Sequence, residues 1–141
     1  MTFEIEVKNA RIDGPQVPRA DFEMLLRFVC DFVVRIAEID IFREVEFPFV
    51  EFAAQLAAWF QAERPGNFDY ESMESPAAGL IYFHRSDTGE WRVGSTLPGN
   101  PRSAAITTDE LRGGVEAFLI GVPTIVDAFG VDVRRFLLKR P

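Results

Sequence analysis

Apolar and polar residues alternate over Phe3–Lys8, and this period of two is typical of a strand with one buried face. The longer segment Leu26–Ile39 is dominated by Phe, Val and Ile, and its even-numbered positions over Phe28–Ile36 form a fully apolar face. We therefore predict a second, longer strand in this segment. A tight reversal near Glu38–Asp40 then leads to a third strand over Ile41–Phe47, in which neither face is purely apolar.

After Pro48 the apolar residues recur every three or four positions, which predicts an amphipathic helix of roughly four turns. Proline suits the first turn of a helix, and the segment Arg64–Gly66 ends it with a proline and a glycine. The next residues, 67–78, are polar and irregular, or at most a short edge strand. Two apolar segments, Leu80–Arg85 and Trp91–Ser95, flank a turn that contains glycine and predict a hairpin.

Residues 97–103 contain two prolines and a glycine, so we expect a loop there. A second helix follows, because Thr107 and Glu110 have the spacing of a capping box, in which each side chain accepts a hydrogen bond from the other residue's backbone N–H. Gly113–Gly114 lies inside this helix, where small residues allow a close approach to a sheet. Pro123 removes one helical hydrogen bond and predicts a kink or a break.

The elements follow one another as strand, hairpin, helix, hairpin and helices, without an alternation of strands and helices. This order predicts the α+β class, with an antiparallel sheet of about five strands and helices packed on one face. The chain has 141 residues, 48% of them hydrophobic, which is enough for a sizeable core. We therefore expect a single α+β domain over residues 1–141.

The composition excludes several classes of protein. The longest apolar runs are a few residues, which excludes a membrane-spanning helix of about 20 apolar residues. Residues Met1–Glu6 contain neither a basic stretch nor an apolar core, so we expect no signal peptide and a cytoplasmic location. Cys30 is the only cysteine, which fits a reducing compartment. The net charge of −7 has the wrong sign for a nucleic-acid-binding protein.

The negative charge is concentrated in one region. Residues 38–74 contain nine acidic and two basic residues, a net charge of −7, whereas residues 1–37 and 75–141 carry −1 and +1. An acidic surface speeds association with a basic protein partner. It also keeps a Phe-rich protein in solution, which is the alternative interpretation of this charge. The candidate partner-binding residues are Glu44, Glu46, Asp69, Tyr70, Glu71, Met73 and Glu74.

Candidate chemistry is scarce. The sequence contains no phosphate-binding loop, hydrolase nucleophile motif or paired CxxC motif, so we predict no catalytic residue, no cofactor and no metal. Cys30 lies on an apolar strand face, where burial makes a thiol unreactive. The single histidine, His84, is typical of a half-exposed sheet residue, but a second hypothesis is a small enzyme or ligand-binding domain in which His84 acts with Asp69 or Glu71. A third hypothesis is a homodimeric scaffold joined through strand edges or the Trp59 side of the first helix.

Three segments carry a resemblance to known proteins: Glu46–Phe52 with the helix after it, Phe68–Met73 with the hairpin that ends at Ser95, and Thr108–Leu111 onward to Leu137. In this order the chain resembles a family of small, uncharacterised actinobacterial proteins. In layout and charge it is also similar to the acidic α+β immunity proteins of bacterial polymorphic toxin systems. That similarity implies a tight, non-catalytic binder that masks a basic site on a toxin, and it supplies no catalytic residues.

Overall fold

The computed structural model describes residues 2–62, 65–73, 78–96 and 102–137, which form two antiparallel sheets and three α-helices. The first sheet has the strand order β1-β2-β3, with β1 at Phe3–Ile12, β2 at Phe28–Ile36 and β3 at Ile39–Phe47. The second sheet has the order β4-β5-β6-β7, with β4 at Phe68–Glu71, β5 at Ala78–Arg85, β6 at Trp91–Ser95 and β7 at Arg102–Ile106. The helices are α1 at Asp21–Arg27, α2 at Phe49–Phe60 and α3 at Thr108–Asp127, and a 3-10 turn follows at Arg134–Phe136.

The predicted α+β class is confirmed, but the prediction of a single sheet of about five strands is wrong. The reason is α2, which lies between two sheets instead of covering one face of a single sheet. Five consecutive residues at its start, Phe49–Ala53, are buried, so the helix is enclosed on several sides. The ring of Phe52 lies 5.4 Å from that of Phe32 in β2 and 5.3 Å from that of Tyr70 in β4. Both sheets therefore share one hydrophobic core.

The first hairpin confirms the predicted apolar face of β2 and corrects the position of its turn. The residues of that face are at most 1% exposed, and they are Phe28, Cys30, Phe32, Val34 and Ile36. The turn falls on Ala37–Glu38, one residue before the predicted reversal, and both residues have positive φ, 49° and 72°. A two-residue hairpin turn of this kind needs positive φ at both central positions, which glycine and asparagine tolerate best.

The alternation along β3 is interrupted by a β-bulge. Phe32 of β2 pairs with Glu44, and Cys30 pairs with Phe47, so three steps along β3 oppose two along β2. Glu46 inside the bulge has a φ of 59°, in the left-handed region. A simple alternating pattern is therefore wrong for this strand, and the four residues Arg43–Glu46 are all exposed.

Two elements, α1 and β7, are absent from the sequence prediction. The N-cap of α1 is Ala20, which has no capping side chain, and only the Glu23 carboxylate accepts from its backbone N–H, at 3.4 Å. The helix extends to Arg27, so the strand expected from Leu26 begins two residues later. β7 begins at Arg102, inside the expected loop, and pairs with β6. The short edge strand allowed within residues 67–78 is present as β4.

The start of α3 is confirmed. The Thr107 hydroxyl accepts from the Glu110 N–H at 3.2 Å, and the Glu110 carboxylate accepts from the Thr107 N–H at 3.0 Å. The helix runs through Pro123 without a break. The predicted close approach to a sheet holds for Gly114, where an added Cβ would lie 2.8 Å from the carbonyl oxygen of Phe3.

Trp59 of α2 is half-buried and packs against the second sheet. Its ring lies 5.6 Å from that of Phe68 and 5.7 Å from that of Trp91, and its Nε1 donates to the Gly66 carbonyl at 2.7 Å. This side of α2 therefore lies against the second sheet, and a dimer contact through the part of Trp59 that stays accessible remains a prediction. No helix within the described ranges is long and apolar enough to cross a membrane.

Candidate functional site

Four of the predicted partner-binding residues form a surface at the ends of β3 and β4. Glu44, Glu46, Glu71 and Met73 are all exposed, Met73 to 67%, and we call this set the acidic surface. Glu44 and Glu46 are both exposed at the bulge in β3. The position of β4 is set by two polar side chains of α2.

The first of these is Glu51, which is 2% exposed among the aromatic residues of the core. Its Oε1 accepts from the Tyr70 hydroxyl at 2.6 Å, and its Oε2 accepts from the Met73 N–H at 3.2 Å. Both carboxylate oxygens are therefore satisfied, as a buried carboxylate requires. The two bonds fasten the chain on both sides of Glu71 to the start of α2.

The second is Gln55, one turn after Glu51 on the same side of α2. Its amide N–H donates to the Glu71 carbonyl at 2.6 Å, and its amide oxygen accepts from the Glu71 N–H at 3.0 Å. The side chain thus bonds to the free edge of β4 as a neighbouring strand would. This arrangement blocks the edge against pairing with another chain. It argues against a dimer joined through this strand edge.

Tyr70 of β4 packs against the end of β3, and so it brings the two parts of the acidic surface close together. Its ring lies 5.4 Å from that of Phe47 at the end of β3. Burial raises the pKa of its hydroxyl strongly, and the hydrogen bond to Glu51 and the nearby charge of Glu44 raise it further. Glu44 as a whole is exposed, yet partial desolvation of its carboxyl raises its own pKa. Glu44 of β3 therefore lies near the segment that carries Glu71 and Met73.

The outer face of the first sheet is charged but internally paired. Arg35 bonds to Glu6 and to Asp40, each at 2.9 Å. Hydrogen bonds from Lys8 and Arg35 lower the pKa of Glu6. Acidic residues on this face thus have cationic partners within the fold. Half-buried pairs of this kind leave little free charge for a partner.

A second group of residues lies on the outer face of the second sheet. His84 Nε2 is 2.8 Å from Asp69 Oδ1, and the two side chains are 40% and 44% exposed. Because a carboxylate only accepts hydrogen bonds, Nε2 carries the hydrogen, and in the neutral imidazole Nδ1 is then the basic nitrogen. Nδ1 has no hydrogen-bond partner within the part of the chain that the structure describes. Of the two carboxylates predicted beside His84, the structure pairs it with Asp69, while Glu71 is held by Gln55 through its backbone.

An aromatic ring and a cation adjoin this pair. The ring of Tyr82 lies 4.5 Å from that of His84 at an angle of 34°. Arg92 is directly opposite His84 in the β5–β6 register, and its Nη1 donates to Ser103 Oγ at 3.0 Å. The arrangement can orient a basic nitrogen and hold a small ligand. We call Asp69, Tyr82, His84, Arg92 and Ser103 the histidine face.

Other chemistry is limited in the described residues. They contain no group of three or more His, Cys, Asp or Glu side chains that could hold a metal ion. Cys30 is fully buried, and burial raises the pKa of its thiol to about 12. A cleft of about 330 Å³ lies between the loop before α1 and the segment after α3, lined in part by Pro18, Met24 and Val131. None of the residues predicted from the sequence lines this cleft.

The structure corrects part of the predicted site. Tyr70 is fully buried, so its predicted place in an exposed interface centre is wrong: its hydroxyl has a partner in Glu51. Glu74 lies outside the described residues. The sequence reasoning missed Glu51 and Gln55 as positioning residues. The signal available was their spacing of four on the helix, which places two polar side chains on one side of an apolar element.

Comparisons with known proteins identify the family of the chain but give no information on its function. No curated protein matches the chain, and no solved structure does. One family model, described as a domain of unknown function (DUF7878), matches residues 1–124. These residues contain both sheets, the acidic surface, the histidine face and most of α3. The chain therefore belongs to the DUF7878 family.

Proposed function

We propose that the protein is a non-enzymatic binding protein whose acidic surface docks on a basic protein partner. One observation carries the proposal: the carboxylates of Glu44, Glu46 and Glu71 have no ion pair within the described residues. The acidic residues on the outer face of the first sheet, in contrast, are paired inside the fold. Unpaired carboxylates beside an exposed methionine suit a partner that presents Lys or Arg around an apolar residue.

The proposal extends to an immunity-like role, in which binding masks a basic site on the partner. The similarity in layout and charge to acidic immunity proteins supports it, and so does the scarcity of catalytic motifs in the sequence. Cys30, the only cysteine, is a free thiol and supports a cytoplasmic location. The proposal requires neither a nucleic acid nor a membrane as partner.

The test is affinity capture of the tagged protein from its native host at low salt and at about 0.5 M salt, where the Debye length is roughly 4 Å. We expect a basic protein to be captured at low salt and lost at high salt. The variant Glu44→Lys with Glu71→Lys should abolish capture. The matched control is Glu90→Lys with Glu116→Lys, which changes the charge equally at two exposed positions elsewhere and should leave capture unchanged.

Two results would count against this function. If no basic protein is captured at low salt, the proposal of a basic protein partner is contradicted. Equal loss of capture in both double variants would show that net charge matters and that the acidic surface does not. Circular dichroism of all variants checks that each is folded.

A second candidate function is supported by the contact between His84 and Asp69. It is a ligand-binding domain or small enzyme that uses the basic Nδ1 of His84, oriented by Asp69. The nitrogen chemical shifts of the imidazole in the wild type and in Asp69→Asn test it, because they report which ring nitrogen carries the hydrogen. If the same ring nitrogen carries the hydrogen in both proteins, Asp69 does not orient the imidazole and this candidate is removed.

A further inference from the structure

The histidine face is built around a glycine that leaves room for an aromatic ring over β6. Tyr82 and Gly94 are opposite each other in the β5–β6 register. An added Cβ at Gly94 would lie 2.2 Å from the Tyr82 hydroxyl oxygen and 2.3 Å from its Cζ. The ring therefore occupies the space directly above β6, which no other residue type at Gly94 permits. Both Tyr82 and the neighbouring His84 are half-buried, so they form part of the protein surface.

Polar groups surround this ring on two sides. On one side, Asp69 fixes the orientation of the His84 imidazole and leaves Nδ1 as a hydrogen-bond acceptor. On the other side, Arg92 of β6 is exposed, and its bond to Ser103 holds its side chain toward β7. One Nη–H of the guanidinium is used in that bond, so its other N–H groups remain for a ligand. The face thus offers a flat ring, a cation and an acceptor.

We propose that the histidine face binds a small planar ring that carries an anionic group, of the nucleoside monophosphate class. The ring of the ligand stacks on Tyr82, its phosphate pairs with Arg92, and a sugar hydroxyl donates to Nδ1 of His84. Stacking on an aromatic side chain and a charge-assisted bond from arginine to phosphate are the usual ways of holding such a ligand. This inference goes beyond the proposed protein–protein function and deepens the second candidate, on which it rests.

The charge of the protein limits the ligand to a small one. Among the described residues of this face, Arg92 is the one cation without an ion pair, in a chain with a net charge of −7. A nucleic acid strand places many phosphates along the surface and would meet Asp69 and the acidic surface at the neighbouring edge of the sheet. A single phosphate avoids this repulsion.

The experiment uses the full chain and three probes: adenosine monophosphate, adenosine and inorganic phosphate. Binding is followed by NMR through the histidine ring signals and the backbone amides of β5 and β6. We expect millimolar binding of adenosine monophosphate, with shifts at Tyr82, His84 and Arg92, and weaker binding of each separate part. Arg92→Gln should weaken the binding by about tenfold. The control Arg85→Gln removes the same charge from an exposed residue next to His84 and should not change it.

Variants at Tyr82 and Gly94 test whether the ligand stacks on the aromatic ring. Tyr82→Phe should keep the binding, because the stacking ring remains, and Tyr82→Leu should lose it. Gly94→Ala should also lose it, because the ring can no longer lie over β6. The proposal is overturned if adenosine monophosphate produces no shifts on this face, or if Arg85→Gln and Arg92→Gln weaken it equally. It is also overturned if inorganic phosphate binds as well as the nucleotide.

The failure of this inference can be told apart from the failure of the functions proposed above. If the His84 tautomer depends on Asp69 but the nucleotide does not bind, the ligand class is wrong and the second candidate remains. If the nucleotide binds equally well to the variant Glu44→Lys with Glu71→Lys, the histidine face acts independently of the acidic surface, as we expect.

Discussion

Gly113 and Gly114 are adjacent residues of α3, but only one of them touches another element of the fold. A methyl group at Gly114 would lie 2.8 Å from the carbonyl oxygen of Phe3 and 2.9 Å from Cδ2 of its ring. The same group at Gly113 would meet nothing within 4 Å. Replacing either glycine by alanine therefore adds one methyl group and raises the helix propensity by the same amount. The two variants differ in the contact with β1.

The expected changes have opposite signs. Alanine is favoured over glycine in a helix interior by about 1 kcal/mol, so Gly113→Ala should raise the free energy of unfolding by about that amount. Gly114→Ala gains the same propensity, but the Phe3 carbonyl belongs to the backbone of β1 and cannot rotate away. Overpacking of this kind costs about 1–3 kcal/mol. We expect Gly114→Ala to be about 1 kcal/mol less stable than the wild type and about 2 kcal/mol less stable than Gly113→Ala.

Urea unfolding, followed by circular dichroism and by the fluorescence of Trp59 and Trp91, measures both free energies. The dependence of the free energy on urea concentration should be the same in the three proteins, so that shifts in midpoint report stability directly. A Gly114→Ala variant as stable as Gly113→Ala would refute the reasoning. It would mean that α3 moves away from Phe3 at no measurable cost.

Three further predictions concern the turn, the buried carboxylate and the thiol. Ala37→Asn with Glu38→Gly should raise the free energy of unfolding by about 1 kcal/mol, since both positions have positive φ, and a lower urea midpoint would contradict the strain argument. Glu51→Ala leaves a buried hydroxyl and an amide without their acceptor and should lower stability by about 2–4 kcal/mol, against about 1 kcal/mol for the more exposed bonds of Gln55→Ala. Equal losses would show that burial of the bond does not matter. The thiol of Cys30, with its pKa raised to about 12, should react with a disulfide reagent at about pH 8 only as fast as the protein unfolds, and rapid labelling of the native protein would contradict its burial.

The elements that the sequence predicts well are those whose signals are local. The capping box at Thr107 and Glu110 needs only four residues to form, and the structure reproduces both of its hydrogen bonds. The apolar face of β2 follows in the same way, because a period of two persists from Phe28 to Ile36. In contrast, α1 has no capping side chain at Ala20 and only seven residues, too few for a clear helical period.

The division into two sheets depends on contacts that no local pattern contains. It follows from α2, whose residues Phe49–Ala53 are buried on all sides, whereas an amphipathic pattern predicts one buried face. The bulge in β3 is equally non-local: Glu46 adopts a φ of 59° although it is not glycine, so its sequence gives no sign of the irregularity. For the same reason Tyr70, which stands in a polar segment, is read as exposed. The burial of Tyr70 becomes visible only in the structure, where its hydroxyl reaches Glu51 on the facing helix.

The structure also reduces the acidic charge that is available to a partner. Among the nine acidic residues in residues 38–74, Glu51 is buried, Asp40 is paired with Arg35, and Asp69 is bound to His84. Of the four others that the structure describes, Glu38 lies in the turn between β2 and β3, and three unpaired carboxylates remain on the acidic surface. Surface charges of this kind act mainly on the rate of association, whereas the rate of dissociation depends on apolar contacts at the centre of an interface. Met73, 67% exposed and fastened by its N–H to Glu51, is the apolar residue of this surface. If the proposed function is correct, charge reversal should therefore slow association, and Met73→Ala should speed dissociation while leaving the association rate and its salt dependence unchanged.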